Sequence, residues 1–210
     1  MLSKQIRTRL PISNSLGKLP IKKNSILIAC VSSYFVGLVL GAANISYFQN
    51  KGGYFELFIE KYLSVHLTNS IWDIWQSDFL SSLFLFSILL FSALSCVGTP
   101  IAIFVPAIRG IFTGLLTACL YLEGGSRGVL LNGLTFLIPN AGIAIVMVLF
   151  SCDCAKCSLS MLKNTTLQVP AISKGKVRSL FWRFTMSSFA MLVLCFFQAV
   201  LLAIFGPLFG

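Results

Sequence analysis

Long apolar blocks, rather than a short alternation of apolar and polar positions, dominate this chain. Five stand out: Ile26–Tyr47, Phe79–Val97, Ile101–Leu122, Val129–Phe150 and Phe184–Phe205. A helix rises about 1.5 Å per residue, so about 20 apolar residues cross a hydrocarbon core about 30 Å thick. The pattern predicts an all-α polytopic membrane helix bundle with about five transmembrane helices. A shorter rhythm lies between the first two blocks. Phe55, Phe58, Ile59 and Tyr62 recur at helical spacing, with Glu56, Glu60 and Lys61 off that stripe. This predicts a short amphipathic helix on the outer leaflet. Trp72 and Trp75 then precede the second block as headgroup-level anchors.

Composition agrees with this pattern. The 210 residues are 57% hydrophobic and only 10% charged, against about 25% charged in a soluble domain. The formal charge of +10 does not point to nucleic acid, because the bases cluster beside apolar blocks. Lys4, Arg7, Arg9, Lys18, Lys22 and Lys23 precede the first block, and Lys156, Lys163, Lys174, Lys176, Arg178 and Arg183 follow the fourth. Those regions hold twelve of the sixteen bases and, among the acids, only Asp153. The positive-inside rule then places the N-terminus and the basic loop 151–183 in the cytoplasm, with the loop 48–78 and the C-terminus outside. The expected division is a basic cytoplasmic tail, 1–25, and a single transmembrane helical domain, 26–210, in the cell membrane. The first block follows Lys22 and Lys23 as a signal peptide would. At 22 residues it exceeds the usual apolar core of about 7–15, so it reads as an uncleaved anchor.

Chemistry-bearing residues are sparse. No carboxylate falls inside a predicted span, which leaves a carboxylate-based proton or cation relay without a residue to run on. The single histidine, His66, lies in the outer loop. Cys152, Cys154 and Cys157 offer three thiols without a nearby fourth ligand, whereas a closed zinc site takes four. Phosphate-binding loops and nucleophile–base pairs are not recognisable. The reading is therefore non-enzymatic, with no cofactor and with membrane lipid as a partner.

Two kinds of feature stand out within the spans. Gly37-x-x-x-Gly41 lies in the first, and Gly110-x-x-x-Gly114 with Ala118 lies in the third. Small residues four apart let helices approach closely, either within one chain or between chains in a homo-oligomer. Arg109 is the one charge inside a predicted span, and burying it costs at least about 2.5–3.5 kcal/mol. In a straight span from Ile101 it lies about 12 Å deep. If Gly98, Pro100 and Pro106 break the backbone, residues 98–108 are instead a shallow re-entrant piece, and Arg109 sits at the boundary. Pro139 in the fourth span lacks an N–H, which frees the carbonyl of Thr135, and Asn140 follows at about mid-depth. Arg109 is expected to hydrogen-bond to that carbonyl, to Asn140, or to both; the competing reading has it reaching lipid phosphates.

Gly98-x-Pro100, then Arg109-Gly110, then Gly114 and Ala118, with the later Pro139-Asn140, resembles the stage II sporulation protein M family of integral membrane proteins. The size, the five spans and the basic loop before the last span are similar too. Ala118 stands where that family commonly has glycine. The resemblance implies a membrane scaffold for engulfment during sporulation. It would anchor and localise the septal peptidoglycan hydrolases, stage II sporulation proteins D and P. A small permease, or a membrane subunit coupled to a cytoplasmic ATPase, is the alternative, since broken helices often mark transport sites.

Overall fold

The structure is a computed structural model and describes residues 25–45, 71–167 and 174–205. The stripe of Phe55, Phe58, Ile59 and Tyr62, His66 and most of the basic tail lie outside the described residues. The described chain is all helical: α1 (Ser25–Ala43), α2 (Ile71–Ala93), α3 (Gly98–Leu131), a π-helical segment (Asn132–Leu137), α4 (Ile138–Leu167) and α5 (Lys174–Phe205). Among the described residues, five stretches are long and apolar enough to cross a membrane: Ser25–Ala43, Ile71–Ala93, Gly98–Leu122, Gly128–Leu162 and Val177–Phe205. Phe35, Phe84, Phe91, Phe104 and Phe189 are all well over half exposed, an outer surface suited to lipid rather than water.

Side-chain contacts give the helix directions. Ser33 of α1 donates to the Ile103 carbonyl of α3 at 2.6 Å, and Gly41 lies on Ile111, so α1 and α3 run parallel. The third and fourth spans form an antiparallel hairpin, tied by Thr99 to Ser158 at 3.2 Å near one end and by Asn132 to Tyr121 at 3.3 Å near the other. Gly125 makes the reversal between them, with φ +53° and ψ −133°, a conformation essentially restricted to glycine. Near the Ser25 end, Arg183 of α5 meets Asp153 of α4 at 2.5 Å. The core is aromatic and aliphatic: Phe86 stacks on Phe150 at 5.2 Å, with Leu89, Ile143, Met147 and Met191 packed around them.

Several boundaries move from the sequence expectation. The second span begins at Ile71, not Phe79. Trp72 and Trp75 therefore belong to the helix, and Asp78 is inside it. Asp73, Gln76, Ser77 and Asp78 dilute the apolar pattern there, yet an acid in the first turn suits a helix N-terminus. Trp75 adds a stack on Phe79 and a hydrogen bond from its Nε1 to the Leu192 carbonyl at 3.4 Å. Residues 98–108 are not a separate re-entrant piece, because α3 is continuously helical from Gly98 through Leu122. Its entry is tight: the Ser92 hydroxyl donates to the Gly98 carbonyl at 3.1 Å. α4 continues through Leu167 and α5 starts at Lys174, so helix reaches well beyond the apolar blocks on that side.

Pro106 shows why α3 stays unbroken. It removes the donor for the Ala102 carbonyl, and an orphan carbonyl is costly where water is scarce. The Ser151 hydroxyl of α4 donates to that carbonyl. The Cys30 thiol of α1 lies 3.8 Å from the same hydroxyl. Ser151→Ala should therefore lower stability by about 1–3 kcal/mol, the cost of one unsatisfied buried acceptor. Adding Pro106→Ala should recover most of the loss, because residue 106 then has an N–H for Ala102. Thermal unfolding of the detergent-purified variants checks this; equal losses in the single and double variants would refute it.

Candidate functional site

Some of the polar residues inside the bundle gather between its ends, whereas Ser92, Ser151 and Ser158 lie toward the Ser25 end and Asn132 toward the other. Arg109 lies about 16 Å along its span, close to the midpoint. Its guanidinium donates to Asn140 Oδ1 at 3.0 Å. Asn140 is 9% exposed and lies about a third of the way along the return span Gly128–Leu162. The structure thus brings together the basic residue of the third span and the amide that follows Pro139.

The backbone before Pro139 explains the amide's position. Residues 132–137 are π-helical. In that register a carbonyl is met by the N–H five residues on rather than four, which widens the turn just before Pro139. Pro139 and Thr135 are both fully buried. A wider helical turn precedes the proline, and the helix continues through it from Ile138 without a break.

A second polar pair lies one helix away. Gln198 of α5 donates through Nε2 to Asp78 Oδ2 at 3.0 Å. Asp78 is 8% exposed and Gln198 2%. Asp78 sits about 10 Å along α2 from Ile71, which overturns the expectation that no carboxylate lies inside a span. Ser82, one turn further along α2, is completely buried and faces Cys195 of α5. Cys195 is within electrostatic reach of both Asp78 and Arg109. One acid and one base thus share a polar layer drawn from α2, α3, α4 and α5.

The glycines hold α1 against this layer. Gly37 and Gly41 lie against the Ala107 and Ile111 carbonyls of α3, and Gly110 and Gly114 lie against the Tyr34 and Leu38 carbonyls of α1. The two GxxxG faces meet each other within one chain. Ala118, half-buried, follows one turn after Gly114. Gly98 is buried and Pro100 exposed at the entry of α3, about 15 Å from the polar layer, so they shape the turn rather than the site.

Sequence reasoning missed Asp78, Ser82 and Gln198. The available signal was Asp78 and Ser82 at i, i+4, which places them on one helix face, and a lone Gln198 within an apolar block. Of the cysteines, Cys152 packs with Cys30 and Val148, and Cys154 is fully buried. Among the described residues no three His, Cys, Asp or Glu side chains gather as a metal site. Compared with known proteins, the chain matches no family model, and no curated protein or solved structure shows significant similarity to it.

Proposed function

We propose that this chain is a non-enzymatic membrane scaffold. On its resemblance to the stage II sporulation protein M family, it anchors and localises septal peptidoglycan hydrolases, stage II sporulation proteins D and P, during engulfment. What supports a scaffold is that the intramembrane polar side chains bond to one another across helices, Arg109 to Asn140 and Gln198 to Asp78. Such bonds make a rigid bundle and leave long apolar faces outward for lipid or for a partner's span. Under this reading the basic end faces the cytoplasm and the 48–78 segment lies outside, where the hydrolases act. A reporter domain fused before Met1 is expected to stay on the cytoplasmic side; its translocation would reverse the orientation. Crosslinking of the full chain in membranes undergoing septum remodelling, followed by pull-down, is expected to recover the hydrolases.

The buried Asp78 and the π-helical turn before Pro139 favour a second reading, a small permease or a membrane subunit coupled to a cytoplasmic ATPase. Recovery of an ATPase without hydrolases, together with solute flux in proteoliposomes, would replace the scaffold by this one.

A further inference from the structure

The basic end of α5 carries two donors that have no acceptor among the described residues. Three arginine side chains are described. Arg109 bonds to Asn140, and Arg183 pairs with Asp153. Arg178 is exposed and has no hydrogen-bond or ion-pair partner among the described residues. Trp182 is 64% exposed, and its indole N–H also lacks an acceptor among them. The indole of Trp75, by contrast, meets the Leu192 carbonyl. Arg178 and Trp182 are four residues apart, one turn along one face of α5.

Depth places this pair among lipid headgroups. The apolar span Val177–Phe205 is centred on Met191. Along the helix, Trp182 lies about 14 Å from that centre and Arg178 about 20 Å. Half of a hydrocarbon core is about 15 Å, and the headgroup region reaches about 20–22 Å. The indole therefore sits at the boundary where tryptophan is enriched, and the guanidinium sits at the level of the phosphates. The same face continues into the hydrocarbon. Met186, Phe189, Val193 and Phe196 follow Trp182 at helical spacing, and all four are exposed. Lys156, also exposed, lies on α4 toward Cys30 of α1 and not on this face.

We propose that this face of α5 is a binding site for one anionic phospholipid at the basic end of the bundle. Arg178 holds the headgroup phosphate, for which a guanidinium offers paired N–H donors. The Trp182 indole N–H donates to a headgroup oxygen, and an acyl chain lies along Met186, Phe189 and Val193. A zwitterionic lipid also has a phosphate, but its own ammonium competes with Arg178 for it. An anionic lipid such as phosphatidylglycerol has no such competitor. The apolar continuation of the face favours a lipid over a soluble acidic protein, which has nothing to place within the hydrocarbon. The site rests on neither reading of the function, since a scaffold and a permease could both carry it.

Native mass spectrometry of the full chain in detergent tests the site. The protein is titrated with phosphatidylglycerol or with phosphatidylcholine of the same acyl chains. Wild-type protein is expected to retain one phosphatidylglycerol about fivefold more tightly than phosphatidylcholine, the effect of one base at an anionic surface. Arg178→Gln should abolish that preference. Lys156→Gln removes an exposed base elsewhere at the same end and should keep it. Trp182→Phe retains a ring but loses the N–H, and should weaken phosphatidylglycerol retention by a smaller factor. All three positions are exposed, so thermal unfolding without added lipid is expected to match the wild type. The proposal is overturned if the wild type shows no preference, or if Arg178→Gln and Lys156→Gln reduce it equally, the mark of a diffuse charge effect. It is equally overturned if inorganic phosphate displaces the lipid at matched concentration, which would make this a free-anion site. Displacement by polyglutamate would assign the face to an acidic protein and overturn it too. None of these readouts depends on hydrolases or on solute flux, so failure here and failure of the scaffold are separable.

Discussion

Gly37→Leu is expected to prevent stable folding in the membrane, and even Gly37→Ala should cost about 1–3 kcal/mol, the usual range for overpacking. A β-carbon on Gly37 would lie 2.2 Å from the Ala107 carbonyl oxygen, and one on Gly114 would lie 2.2 Å from that of Leu38. Both obstacles are backbone, so no rotamer change gives room; the helices themselves must separate. Separation also weakens the Ser33 bond to Ile103, because both lie on the same interface. Gly110→Ala and Gly41→Ala should behave alike, with 2.3 Å and 2.2 Å approaches to Tyr34 and Ile111. Gly133→Ala is the matched control, since nothing lies within 4 Å of its added carbon. Thermal unfolding, read beside molecular mass, checks this. Losses in mass without loss of thermal stability would show that the glycine faces join separate chains instead of α1 and α3.

Asn140→Leu should destabilise the bundle more than Arg109→Leu, although the arginine carries the charge. Removing the amide leaves the half-buried guanidinium within the span without this acceptor, and stranding a charge costs up to about 3–5 kcal/mol where it is fully buried. Removing the arginine deletes that charge and leaves a neutral amide short of one donor, a smaller penalty of about 1–3 kcal/mol. The double variant Arg109→Leu/Asn140→Leu should therefore be more stable than Asn140→Leu alone. Unfolding by denaturant in a fixed detergent, run as a double-mutant cycle, gives the coupling directly. Additive losses would mean that Arg109 reaches lipid phosphates and that its bond to Asn140 contributes little.

Both experiments probe residues visible in the sequence, but for different reasons. The GxxxG spacings identified close-packing faces without choosing their partner. The parallel course of α1 and α3 made that choice, and it depends on how the chain returns through residues the apolar pattern does not describe. Arg109, Pro139 and Asn140 stood out as exceptions within apolar blocks, and a freed carbonyl is predictable from any proline. That Ser151 would serve the Ala102 carbonyl was not predictable, because the two are 49 positions apart. Asp78 was hidden for the opposite reason. It lies among Asp73, Gln76 and Ser77, which dilute the apolar pattern, so the span seemed to start at Phe79.

The sequence by itself determined that this is a bundle of about five long apolar helices. The hydrocarbon thickness sets their length, and the need to bond every backbone group in lipid sets their helical form. Those constraints act locally, residue by residue, and so are written in composition. Only the tertiary structure decided which polar side chains meet inside the bundle. Asp78 and Gln198 are separated by 120 positions, and nothing in either local segment names the other. A polar group in an apolar span has many candidate partners along the chain, and packing geometry selects among them.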